Sequence, residues 1–171
     1  MDRRGEREVE FEPRPLPSQV IAVCVGNVCR SPMAHALLAV ALRERGLGVR
    51  VSSAGIRACV GLPADPTSIQ LMAERGIDIS GHRGRQLLPK QVDADTLLLV
   101  MSDDQAKWIR RQRGRLASQV AALGEFTVGD IDDPVGGTRG QFERALGEIE
   151  EGIEAWLARG WAVPREAGAN S

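Results

Sequence analysis

Val20-Ile-Ala-Val-Cys24, running straight into Val25-Gly-Asn-Val-Cys29-Arg30-Ser31-Pro32, is the stretch that decides the fold. Its first five residues are apolar without alternation, the pattern of a strand buried on both faces. From Pro32 to Arg45 the apolar residues Met33, Leu37, Val40 and Ala41 recur on one helical face. Ser31 is a good helix cap and Pro32 suits the first helical position, so the helix is expected to begin where the loop ends.

The same alternation continues outward. Strands are expected at Arg50–Ser53, Thr96–Met101 and, more weakly, Gln119–Leu123. Helices are expected at Pro66–Arg75, Asp103–Gln112 and Arg139–Ala158, the last with Phe142, Leu146, Ile149, Ile153 and Trp156 three or four apart. Four apolar strands alternating with helices predict an α/β fold: a four-stranded parallel sheet with helices on both faces. Ligands of such sheets sit beyond the carboxyl ends of the strands, so the first strand-to-helix loop is where chemistry is expected.

The chain of 171 residues suits one domain, and 43% hydrophobic with 26% charged residues is an ordinary soluble balance. Residues 1–18, charged and proline-bearing, read as a disordered extension. Residues 19–159 read as the functional domain and 160–171 as a flexible tail, with Trp161 able to dock on the body. A net charge of -1 gives no reason to expect nucleic acid as a partner. No apolar run approaches the ~20 residues that span a bilayer, so membrane insertion is not expected. Three cysteines make no disulfide framework, and a reducing cytoplasm is the expected location. Tyrosine is absent from the sequence, which excludes control through the protein's own tyrosine phosphorylation.

Within the loop, Cys24 and Arg30 are separated by five residues. Backbone N–H groups of a tight loop leading into a helix N-terminus converge on an anion such as phosphate. Val25, Gly26, Asn27, Val28 and Cys29 would supply them, with Gly26 free to adopt a left-handed or close-approach conformation and Asn27 tolerating one. Arg30 adds a planar fork for two phosphate oxygens. The same positive field favours the thiolate of Cys24, the nucleophilic form. A structural cysteine beside a surface arginine is the bland reading of the bare spacing, and the strand before and the helix after weigh against it.

The string Val23-Cys-Val-Gly-Asn-Val-Cys-Arg-Ser-Pro32 resembles the phosphate loop of the low-molecular-weight protein tyrosine phosphatases, and the likeness runs from about Val20 to about Leu157. Ser53-Ala-Gly55 matches the turn after that family's second strand, and His82-Arg-Gly-Arg-Gln86 its His-x-x-Arg-Gln segment. The resemblance implies a flavodoxin-like three-layer sandwich and a cysteinyl-phosphate mechanism. In that mechanism Cys24 is the nucleophile, Arg30 the phosphate clamp and Asp133, before Pro134, the general acid. No metal or cofactor is implied. Asp130 and Asp132 compete with Asp133 on spacing alone. Ser31 is implied as a donor to the thiolate, Asn27, Ser53 and His82 as supports of the loop, and Cys29 as a reversible redox partner of Cys24. For His82 the bland alternative is a satisfied histidine at a helix–strand junction, and for Cys29 a small loop filler. Cys59 has no evident partner; Arg110, Arg111, Arg113 and Arg115 read as a solvated basic face, and Trp108 and Trp156 as core.

Two departures stand out: Val135-Gly-Gly follows Asp-Pro where many relatives carry tyrosine, and His35 replaces a common glutamate. Thioredoxin-linked arsenate reductases share the loop but need a further cysteine pair. Protein arginine phosphatases share the Asp-Pro-x-Gly-Gly loop, yet carry a polar threonine where Val28 stands. A non-catalytic phosphate-binding module is the alternative of another class. Ser52 to Pro66 and Gly81 to Gln86 resemble bacterial members encoded with exopolysaccharide or capsule machinery. That likeness implies a phosphotyrosine protein as substrate, the tail of a membrane tyrosine autokinase among the candidates.

Overall fold

The computed structural model describes residues 15–112 and 119–161. The extension up to residue 14, Arg113, Arg115 and the tail from residue 162 lie outside the described residues. Four strands form one parallel sheet: β1 (Gln19–Cys24), β2 (Arg50–Gly55), β3 (Thr96–Val100) and β4 (Val120–Ala122), in the order β2-β1-β3-β4. Four helices connect or follow them: α1 (Arg30–Glu44), α2 (Pro66–Glu74), α3 (Asp103–Arg110) and α4 (Arg139–Ala158). This is the expected sandwich, a flavodoxin-like arrangement with the order reversing between β1 and β3.

Side-chain alternation along the strands builds two cores. Val20, Ala22 and Cys24 face one side, where Met33, Leu38 and Leu42 of α1 and Phe142, Ile149 and Trp156 of α4 pack. Ile21 and Val23 face the other, against Ala54, Leu98, Val100 and the α3 residues Ala106 and Ile109. Trp156 is fully buried, donates from Nε1 to Leu123 O at 3.1 Å and lies 6.0 Å from the ring of Trp161, itself buried. Trp108 is half-buried on the α3 side.

One local expectation is corrected. Helix α1 starts at Arg30 with Cys29 in the cap position and no side-chain cap, so Ser31 is not the N-cap. Its hydroxyl is buried inside the first turn and bonded to Cys24 and Asn27 instead, because a residue already within the helix lies past the position from which a cap reaches the free N–H groups. Elsewhere the structural bounds differ from the sequence reading by one or two residues, the scale on which element ends fray. β4 pairs only over Val120–Ala122.

Candidate active site

Cys24 ends β1 at the centre of the sheet, and the loop to α1 closes over its sulfur. All five carbonyls of residues 24 to 28 are held from outside the loop. Ile56 N donates to Cys24 O (3.0 Å), Arg57 N to Val25 O (3.0 Å), Cys59 N to Gly26 O (2.9 Å) and Asp65 N to Val28 O (2.8 Å). The remaining carbonyl, Asn27 O, is bonded by His82 Nε2 at 2.7 Å. The described chain has no cis peptide, and in a trans peptide the N–H points opposite to its own C=O. Carbonyls bonded outward therefore turn the N–H groups of residues 25 to 29 inward, making the anion cradle out of the chain itself.

Asn27 locks that cradle. It is completely buried and left-handed, φ 58°, so the left-handed residue of the loop is Asn27, not Gly26. Its amide nitrogen donates to Ser31 Oγ at 2.7 Å and Ser53 Oγ at 3.0 Å, while its oxygen accepts from Arg85 N at 2.9 Å. Because Ser31 Oγ accepts from Asn27, its own hydrogen is directed to Cys24 Sγ, 2.9 Å away. Asn27 N donates to the same sulfur at 3.3 Å. The buried sulfur thus has two donors aimed at it.

Arg30, only 4% exposed, is clamped by Nη1 donating to Ile131 O at 2.7 Å and Nη2 lying 3.1 Å from Asp133 Oδ2. Nε is buried without a hydrogen-bond partner among the described residues, an orphan donor beside the cradle that a phosphate oxygen would satisfy. Asp133 is 39% exposed, and its second oxygen accepts from Val135 N at 3.2 Å, the turn that Pro134 helps to set. The three aspartates left open by spacing separate here. Asp130 accepts from Asp103 N at the start of α3, and Asp132 interacts with Arg144 of α4. Of the three, Asp133 is the one bonded to Arg30.

Cys29 is buried against α1, and its thiol is pushed up to about 12, chiefly by desolvation and then by the charges of Asp65, Asp133 and Cys24. His35 lies within electrostatic reach of His82, and burial holds both imidazoles below their ordinary value of 6.5. The Asn27 bond opposes that shift in His82, and the charge of Arg85 adds to it in both. The neutral imidazole is therefore the form in which His82 holds the loop. Cys59 is exposed, and a Cβ on Gly26 would lie 3.5 Å from its sulfur, which puts Cys59 at the rim of the cradle. Val135, 59% exposed, stands beyond Asp133.

Residues 19–166 match the family described as low molecular weight phosphotyrosine protein phosphatase. The chain belongs to that family. It is 46% identical over 140 residues to a probable low molecular weight protein-tyrosine-phosphatase, EpsP, of Ralstonia solanacearum, covering 82% of this chain and 94% of that one. It is 34% identical over 135 residues to a protein-arginine-phosphatase of Bacillus subtilis, covering 77% and 89%. Among solved structures, the tyrosine phosphatase amsI of Erwinia amylovora superposes with a TM-score of 0.77 at 28% identity, covering 89% of this phosphatase and 98% of that chain.

Several parts of the site lay beyond sequence reasoning. Ile56, Arg57, Cys59 and Asp65 act on the loop through backbone N–H groups, which carry no side-chain signature. Gln86 fixes that segment, donating to Ile56 O at 2.9 Å and accepting from Ala58 N at 3.0 Å. Gly55 and Gly84 permit the close approach, since a Cβ would fall 2.5 Å from Val25 O and 2.2 Å from Cys59 O respectively. A glycine within His82-Arg-Gly-Arg-Gln86, outside any turn pattern, was the signal available for the second contact. Among the described residues, no group of three or more His, Cys, Asp or Glu side chains is placed to hold a metal ion. No described helix is long and apolar enough to cross a membrane.

Proposed function

We propose that the phosphatase hydrolyses protein phosphotyrosine through a cysteinyl-phosphate formed on Cys24. The observation that carries this reading is the convergence of a doubly donated Cys24 sulfur, an inward-facing cradle of N–H groups and the Arg30–Asp133 pair. The Cys24 thiolate attacks phosphorus; the P–O bond to the tyrosine breaks and the phenolate leaves with a proton from Asp133. Arg30 and the N–H groups of residues 25 to 29 hold the three equatorial oxygens as charge develops on them. Water, deprotonated by Asp133, then attacks the phosphocysteine, and Cys24 departs as thiolate, received by Ser31 Oγ–H and Asn27 N–H. Asn27, Ser53 and His82 position the loop, and Cys29 can close a reversible disulfide on oxidised Cys24.

Because Asp133 faces Arg30, a bound phosphoryl group displaces one carboxylate oxygen and brings the carboxyl against the leaving oxygen. Specificity for an aryl ester follows from a buried nucleophile, which a short phosphoserine reaches poorly. Val28, half-buried and packed on the core, has no polar atom to assist a guanidinium, which favours tyrosine over arginine despite the Asp-Pro-Val-Gly-Gly loop. The likeness to EpsP, with the Ser52–Pro66 and Gly81–Gln86 segments, supports a cytoplasmic role against a tyrosine autokinase of exopolysaccharide or capsule production. Hydrolysis of phosphotyrosine and phosphoarginine peptides measured side by side tests the reading: kcat/KM is expected to be higher for phosphotyrosine, and Val28→Thr to narrow the gap. A wild type that prefers phosphoarginine contradicts it.

A further inference from the structure

A cavity of about 320 Å³ opens beside the edge strand β2 and is lined by three cations, Arg50, Arg85 and Lys90. It lies on the face of the sheet opposite α1. Its floor residues Ile21 and Ala54 belong to the α3-side core, and α3 itself packs on β3 and β4. Cys24 belongs to the other face and sits at the carboxyl end of β1, so the cavity does not open on the nucleophile, although Ser53 and Arg85, which bond Asn27 of the phosphate loop, form part of its wall. Among the described residues its walls hold no carboxylate. Asp93 meets Arg50 from outside at a loose 3.5 Å, with both side chains largely exposed. Lys90 makes no ion pair among the described residues. Arg85 places Nη2 3.3 Å from Ser53 O.

Three cationic residues lining one concavity, with Ser52 also in its wall and the apolar Ile21 and Ala54 beneath, match an anion of more than one charge. We infer that this cavity is a second anion site, built for a phosphoryl group that is not the reacting one. The arginine forks suit two oxygens of such a group, and the ammonium of Lys90 supplies a compact charge. An inorganic phosphate and the head of a small organic phosphate ester share this chemistry; the cavity has room for an organic body over Ile21 and Ala54.

Backbone amide shifts of the ¹⁵N-labelled chain test the inference. Inorganic phosphate is titrated into the wild type, and ribose 5-phosphate into Cys24→Ser, where turnover is blocked. Two sets of amides are expected to move on separate isotherms, one at residues 25–30 and one at Ser52, Ala54, Lys90 and Gln91. Lys90→Glu is expected to weaken the second set by at least about tenfold, the worth of one charge-assisted hydrogen bond, and to leave the first within about twofold. Lys90 is exposed, so unchanged amides elsewhere verify the fold. Tighter binding of ribose 5-phosphate identifies an organic ligand, and tighter binding of phosphate the inorganic one; either result supports the site. Cavity amides that stay still, or that follow the loop isotherm and ignore Lys90→Glu, overturn it. Loop amides that stay still strike instead at the proposed function.

Discussion

Replacing Asn27 isolates what holds the cradle open. Asn27→Gly keeps a residue that adopts φ 58° freely, but removes the bonds to Ser31, Ser53 and Arg85. At about 1 kcal/mol net for each buried hydrogen bond, with Arg85 N left seeking a partner, the loss is about 3–4 kcal/mol. Asn27→Ala adds about 1 kcal/mol for a Cβ in the left-handed region. Against the ~5–15 kcal/mol of an ordinary domain, either loss is large. Urea unfolding followed by tryptophan fluorescence measures the stability, and inhibition by inorganic phosphate measures the cradle. Both variants are expected to bind phosphate at least about tenfold more weakly, because the Asn27 amide no longer ties the loop to β2. The reasoning is refuted if Asn27→Ala unfolds within about 1 kcal/mol of the wild type and binds phosphate as tightly.

Three further outcomes are expected. Asp133→Asn should lower kcat for phosphotyrosine by ~10²–10⁴ and much less for an aryl phosphate with a weakly basic leaving group; steady-state rates across a leaving-group series decide, and an equal loss throughout assigns Asp133 to structure. His35 and His82 are held below 6.5 in the folded chain, so the unfolded chain takes up more protons as pH falls through that value. Stability should therefore be complete above pH 6.5 and decline below it, and Tm from pH 7.5 to 5 should fall less steeply in His35→Gln. Peroxide should inactivate the enzyme reversibly by joining Cys24 to Cys29, as read from thiol recovery. Since Cys29 is pushed up to about 12, closure should accelerate about tenfold per pH unit, while Cys29→Ser recovers poorly.

Much of this protein was legible in the sequence because its signals are local. The unbroken apolar run at Val20–Cys24 and the spacing of Phe142, Leu146, Ile149 and Ile153 mark buried faces, and the sheet follows from their alternation. Cys24 and Arg30 lie on one short loop, so their meeting needs no tertiary information. Ser31 shows the limit. A serine before a proline at a helix start reads as a cap, yet the nearby sulfur and the Asn27 amide claim its hydroxyl. The carbonyl ties from Ile56, Arg57, Cys59 and Asp65 were illegible, since any residue type can donate a backbone N–H. Asp130, Asp132 and Asp133 are chemically identical, and the position of Arg30 is what separates them. The cations of the second cavity come from two stretches of the chain, Arg50 on β2 and Arg85 with Lys90, and no motif links them.

The central claim is that phosphate passes through the sulfur of Cys24. Rapid acid quenching of the wild type during the first turnover of an aryl phosphate, followed by peptide mass spectrometry, tests it most directly. The account predicts one phosphate per chain on the peptide that holds Cys24, lost on prolonged incubation and absent from Cys24→Ser, which should also lack turnover. Phosphate trapped on any other residue, or substantial turnover by Cys24→Ser, would contradict it.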